Sequence, residues 1–135
     1  MRRVNFRHTP AVPPCSTLIV DDSVDMAFLV STLIELANDG LRVTGVAYSG
    51  AQALEQLPGA DPDVIVLDSR MPERCGLDVA SDILGINPEQ NIVLFSAYLD
   101  AETIENAERL GIRECVSKDL LNNLPDILRK YGRAG

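Results

Sequence analysis

The stretch Val64-Ile65-Val66-Leu67-Asp68 decides the reading of this chain. Four apolar residues run without a break and stop at a carboxylate. Ser69-Arg70-Met71-Pro72 follows, so the chain turns away at once. A bare apolar run of this length is expected of a strand covered on both faces, as in a parallel sheet. An acid fits such a strand only where it emerges from cover, at the carboxyl end. In open α/β sheets that edge is where ligands bind. Taken alone, a turn aspartate ahead of a proline would look the same; the neighbouring runs separate the two readings.

Working outward, the pattern recurs. Thr17-Leu18-Ile19-Val20 ends at Asp21-Asp22, Ile92-Val93-Leu94-Phe95 ends at Ser96-Ala97, and the short Cys115-Val116-Ser117 ends at Lys118. Leu41 to Ala47 alternates only in part and reads as an edge strand. Between these runs, apolar residues recur at helical spacing. Ser23 can cap a first helix in which Met26, Leu29, Val30, Leu33, Leu36 and Ala37 recur at helical spacing, and Asn38-Asp39-Gly40 stops it. Ser49-x-x-Gln52 is a capping box opening a second helix, expected to end at Leu57 before Pro58-Gly59. Leu77, Ala80, Ile83 and Leu84 mark a third, ended before Asn87-Pro88. Asp100 caps a fourth with Ile104, Ala107 and Leu110 inward, closed by Gly111. Leu121, Leu124, Ile127, Leu128 and Tyr131 give a last helix, with Pro125 in its first turn. Strands so far apart cannot form hairpins, so crossover helices force parallel pairing with helices on both faces. The expected fold is α/β, a doubly wound (βα)5 parallel sheet.

Lys and Arg number 12 against 20 Asp and Glu, a net charge of −8 over 135 residues. Such an acidic domain has no electrostatic footprint for direct nucleic-acid binding, and it favours cations. The three cysteines, Cys15, Cys75 and Cys115, form neither a disulfide framework nor a C-x-x-C zinc site. They read as free thiols in a reducing cytosol, a cytoplasmic location. No apolar run approaches the roughly 18 residues of a membrane span. Residues 1–16 differ from the rest: Arg2, Arg3, Arg7 and His8, three prolines and no acid. They read as a mobile basic arm, either a tether for an acidic partner or an unselected tail, ahead of one domain over residues 17–135.

Parallel strands bring their carboxyl ends to one edge. Asp21, Asp22, Asp68, Ser96 and Lys118 then converge from four strands. Three clustered carboxylates repel one another unless a cation enters. Hard oxygen ligands on a hydrated edge suit Mg²⁺. A carboxylate facing a divalent ion favours phosphoryl transfer, with Lys118 pairing phosphoryl oxygens and the Ser96 hydroxyl donating to another.

Leu18-Ile19-Val20-Asp21-Asp22, Val64 to Pro72, Ser96-Ala97, Ser117-Lys118 and the helix opening Gly50-Ala51-Gln52-Ala53-Leu54 together resemble the receiver domain of two-component response regulators. The resemblance covers roughly Thr17 to Tyr131 and is closest in kind to stand-alone, chemotaxis-regulator-like receivers. It implies a flavodoxin-like fold with strand order 2-1-3-4-5. It implies that Asp68 is the phosphoacceptor, charged by a sensor histidine kinase or exchanging with a histidine phosphotransfer domain. Asp22, Asp68 and the backbone carbonyl of Arg70 would bind Mg²⁺ directly, and Asp21 through water. Ser96 would move toward the phosphoryl group and Lys118 would hold it. The output would be a changed protein–protein contact, with homodimerisation one form of it, through the fourth helix, last strand and last helix. The protein would not be a turnover enzyme.

Two positions depart from the family pattern. Cys115 stands where the family carries an aromatic switch residue, and Asp119 replaces the proline after the lysine. Tyr98, two residues after Ser96, is the candidate to take over part of the switch. Arg70 and Tyr98 are both large and are expected to flank the site and hinder water. Three other readings compete with this one. An Asp-nucleophile, Mg²⁺-dependent phosphatase of the haloacid dehalogenase kind wants an acid two residues after the nucleophile, where Arg70 stands. A phosphorylation-independent docking module with this fold would not need the intact acids, Ser96 and Lys118. A flavin carrier would need a Ser/Thr-rich phosphate loop after the first strand.

Overall fold

The structure is a computed structural model and describes residues 14–37 and 39–132. Residues 1–13, and with them most of the basic arm and His8, lie outside the described residues, as does Asn38. The strands are β1 (Cys15–Val20), β2 (Leu41–Ala47), β3 (Val64–Leu67), β4 (Asn91–Ser96) and β5 (Glu114–Ser117). The helices are α1 (Val24–Ala37), α2 (Gly50–Ala60), α3 (Gly76–Ile86), α4 (Ala101–Leu110) and α5 (Leu124–Arg129). All pairings are parallel and the order is β2-β1-β3-β4-β5, as expected.

Strand alternation explains the bare apolar runs. Leu18, Ile65, Leu67, Ile92 and Leu94 point to one face and bury against Ala53, Leu57, Val79, Ile83 and Ala107 of α2, α3 and α4. Ile19, Val64, Val66, Val93 and Phe95 point to the other and meet Ala27, Val30, Ile34, Leu124 and Leu128 of α1 and α5. Neither face of the central strands reaches water, so their buried positions are apolar apart from Thr17 and Ser96.

Several boundaries and faces differ from expectation. The boundary expected after Ser16 moves, because β1 takes in Cys15 and Ser16. Cys15 is buried opposite Leu41, and the Ser16 amide donates to Asp63 Oδ2 at 2.9 Å. A polar Ser16 hid the start of the strand. Helix α2 continues through Pro58 to Ala60 and ends at Asp61, in the left-handed region, whose N–H donates to the Leu57 carbonyl. Ala60 packs on the core, which outweighs the one donor that Pro58 lacks. A Cβ at Gly45 would lie 2.8 Å from Gln56 Oε1, so the glycine lets α2 sit close to β2.

The buried stripe of α1 is Ala27, Val30 and Ile34, while Leu29 and Leu36 face outward. In α4 only Ala107 is buried, and Ile104 and Leu110 are exposed. The stretch expected to open the last helix is a 3₁₀ segment (Lys118–Asn123), and Pro125 then lies in the first turn of a short α5. The register of β1 against β2 shifts between Thr17 and Leu18, where Thr44 is the extra residue.

Candidate functional site

Pairing carries the strand ends to a common edge. Val20 lies beside Leu67, Leu67 beside Leu94, and Ser96 beside Ser117. The ladder runs one residue further, with the Asp68 amide donating to the Val20 carbonyl at 2.9 Å and the Asp21 amide to the Ala47 carbonyl at 3.0 Å. Asp21, Asp22 and Asp68 therefore emerge side by side. One carboxylate oxygen from each gathers within 4.8 Å of the others. Asp21 and Asp68 are buried and Asp22 is exposed, so the cluster opens to solvent on one side.

Lys118, at the start of the 3₁₀ segment, crosses this edge. Its Nζ lies 3.0 Å from Asp21 Oδ2 and 3.3 Å from Asp68 Oδ1. Asp21 Oδ1 accepts from the Ser23 amide at 2.9 Å, and Asp68 Oδ1 accepts a long bond from the Arg70 amide at 3.4 Å. The Ser23 hydroxyl in turn accepts from the Met26 amide and caps α1. Burial pushes the Asp68 carboxyl above its ordinary range. The Asp21 charge adds to the rise, and Lys118 with the Arg70 amide works against it. A buried, crowded carboxylate is a site that gains from a cation.

Ser96 reaches the same edge but turns from Asp68 toward its own loop. Its hydroxyl donates to the Tyr98 carbonyl at 3.0 Å and accepts from the Tyr98 amide at 3.1 Å. It also contacts the Ser69 hydroxyl. Tyr98 is exposed, with the Arg70 guanidinium 4.9 Å from its ring centroid. Cys115 is half-buried on β5 beside Leu94 and packs on the core, where burial followed by the Glu114 charge raises its thiol pKa. Ser69 is the residue that sequence reasoning missed. Its one signal, adjacency to Asp68, does not say that its hydroxyl meets a residue 27 positions away. Gly76 is required here: a Cβ at that position would lie 2.1 Å from the Asp68 carbonyl oxygen. Beside Asp22 a cavity of about 290 Å³ opens between Tyr48, Leu54, Met71 and Arg74.

The sequence model of the response regulator receiver domain matches residues 17–129. The chain belongs to this family. Among receiver relatives, the chemotaxis protein CheY of Thermotoga maritima is 32% identical over 101 residues, covering 75% of this chain and 82% of CheY. The protein-glutamate methylesterase/protein-glutamine glutaminase of Trichodesmium erythraeum is 34% identical over 109 residues, covering 79% of this chain and 31% of that enzyme. The chain thus spans about a third of the length of that relative. The signal receiver domain of NarL from Mycobacterium tuberculosis superimposes with a TM-score of 0.77 at 26% identity, covering 90% of this chain and 99% of that domain. The receiver fold accounts for the strand order and for the convergence of strand ends. No helix of the receiver, among the described residues, is long and apolar enough to cross a membrane.

Proposed function

We propose that this receiver accepts a phosphoryl group on Asp68, with Mg²⁺, and uses the modified state to change a protein–protein contact. The observation that carries the reading is Lys118 bridging Asp21 and Asp68 beside Asp22, a cationic side chain held within a carboxylate cluster. The donor set fits Mg²⁺: three carboxylates with hard oxygens, one of them open to solvent. Asp22, Asp68 and the Arg70 carbonyl would hold the ion, with Asp21 acting through water. When bound, the ion neutralises charge on the phosphoryl oxygens.

An Asp68 oxygen attacks phosphorus, the bond from phosphorus to the donor's imidazole nitrogen breaks, and the imidazole leaves with that electron pair. Lys118 exchanges an aspartate for a phosphoryl oxygen. Asp21 stays oriented by the Ser23 amide. Ser96 turns its hydroxyl to a further phosphoryl oxygen. The donor is the phosphohistidine of a sensor kinase or of a histidine phosphotransfer domain, and the reaction can also run back to the latter. Tyr98 and Ile104 of α4, both exposed, would contribute to the output face, where a downstream protein or a second copy binds. Asp68 is modified rather than turned over against an external substrate, and the setting is cytoplasmic.

Intact-protein mass after incubation with Mg²⁺ and acetyl phosphate tests this reading beside Asp68→Asn. A gain of one phosphoryl group, roughly 80 Da, in the parent alone is expected. No gain in a protein shown to bind Mg²⁺ would leave a docking module with a receiver fold as the better account.

A further inference from the structure

The hydroxyl of Ser69 is the polar group on this edge that the proposed chemistry leaves unused. Ser96 Oγ has three partners: the Tyr98 carbonyl, the Tyr98 amide and Ser69 Oγ. A hydroxyl has one proton and two lone pairs. The Ser96 proton goes to the Tyr98 carbonyl and the Tyr98 amide fills one lone pair, so Ser69 supplies the remaining contact as donor. The valences of Ser96 are then all taken. In this arrangement it has no proton to give to a group on Asp68. Both serines are buried, so water is a poor replacement for either partner.

Ser69 itself is fixed. Its carbonyl accepts from the Gly76 amide at 2.8 Å, and the start of α3 presses so close that a Cβ on Gly76 would lie 2.9 Å from Ser69 Cα. The backbone of Ser69 cannot follow Ser96 if Ser96 moves. The next residue, Arg70, lies over the ring of Tyr98 at 4.9 Å. The two residues after Asp68 therefore tie down both ends of the Ser96–Tyr98 segment.

We propose that Ser69 is a positioning residue whose hydroxyl holds the Ser96 hydroxyl on the Tyr98 backbone, and that this hold must break before Ser96 can face a phosphoryl group. The inference rests on the reading of Asp68 as phosphoacceptor. Removing the hold removes about one net hydrogen bond from the resting arrangement, roughly a fivefold change in the equilibrium constant.

The test titrates the full chain with beryllium fluoride and Mg²⁺, as a phosphoryl mimic, in the parent, Ser69→Ala, Ser96→Ala and the double variant. Ser69→Ala is expected to bind the mimic about fivefold more tightly, with its affinity for Mg²⁺ alone unchanged. The gain is expected to vanish in the Ser96→Ala background, and Ser69→Thr, which keeps the hydroxyl, to behave as the parent. No gain in Ser69→Ala, or an equal gain without Ser96, overturns the proposal. Amide exchange at Tyr98, measured without the mimic, separates the two readings. If the parent binds no mimic, the phosphoacceptor reading fails and exchange alone decides on Ser69. Ser69→Ala should speed Tyr98 exchange about fivefold, by loss of the same hydrogen bond, and unchanged exchange overturns the hold.

Discussion

Lys118 pairs with two buried acids at once, yet it does not cancel the burial and crowding that set how Asp68 responds to pH. Without a divalent ion, burial and the Asp21 charge keep the Asp68 pKa raised in spite of the lysine. A carboxyl whose folded pKa is raised takes up its proton more readily in the folded state. Stability therefore rises as pH falls from the folded pKa toward the ordinary value, and the charged form carries a cost above that window. Asp68→Asn, measured by chemical denaturation in chelator, is expected to be more stable than the parent at pH 7. Its advantage should shrink on acidification, as the parent takes up its proton. A constant difference across pH would contradict the assignment. Arg70 and Tyr98, stacked beside the same edge, are expected to slow attack of water on a phosphorylated Asp68. The Arg70→Asn, Tyr98→Ala double variant should release phosphate several-fold faster, in line with roughly 1 kcal/mol for a cation–π contact. Release at the parent rate would remove these side chains from that role. At this scale the sequence made the acids, Ser96 and Lys118 legible, because each closes an apolar run. Ser69 was not legible, because its partner is set by the register of β3 against β4 and by the rotamer of Ser96.

At the scale of elements, the strands were easier to read than the helices. A strand covered on both faces has no choice of face, so Val64–Leu67 or Ile92–Phe95 admits one reading. Helix α1 is different: Val24, Phe28, Leu29, Leu33, Ile34 and Leu36 surround it with apolar residues, so spacing alone allows more than one stripe. The structure selects Ala27, Val30 and Ile34. Ile34→Ala should then cost about 2–5 kcal/mol in chemical denaturation. Leu36→Lys, at a position 74% exposed, should change stability by no more than about 0.5 kcal/mol. A reversal of these two costs would place the wrong stripe inside. Pro58 shows a related limit. The proline marks where the backbone loses a donor, but the packing of Leu57 and Ala60 decides where α2 stops.

For the whole molecule, both core layers rest on one sheet whose carboxyl edge holds the acids. Occupation of that edge should therefore stabilise the entire domain. Mg²⁺ at a hundredfold excess over its Kd is expected to add about 2.7 kcal/mol to unfolding, with Tm rising accordingly. Asp68→Asn should reduce the gain, and Mg²⁺-free controls in monovalent salt at equal ionic strength separate binding from screening. An unchanged Tm at saturating Mg²⁺ would argue that the carboxylates do not act as one site. The fold class followed from the repeated strand–helix alternation, which leaves few topologies open, and the strand order from the resemblance to receiver domains. The short helical segments after Lys118 did not, because Leu121 and Leu124 fit a 3₁₀ turn and an α-helix equally well.

The extra residue at Thr44 bears on how the protein behaves at high concentration. Strand β2 lies at the rim of the sheet, and a regular rim is a template onto which another chain can add a strand. The shift of register between Thr17 and Leu18 breaks the regular spacing of that strand, and Arg42 stands exposed along it. A bulge twists an edge out of line, and an incoming strand would have to match the irregular spacing and bring its own groups up to a positive charge. The chain can thus keep a wholly parallel, apolar sheet while leaving its β2 edge a poor seed for aggregation.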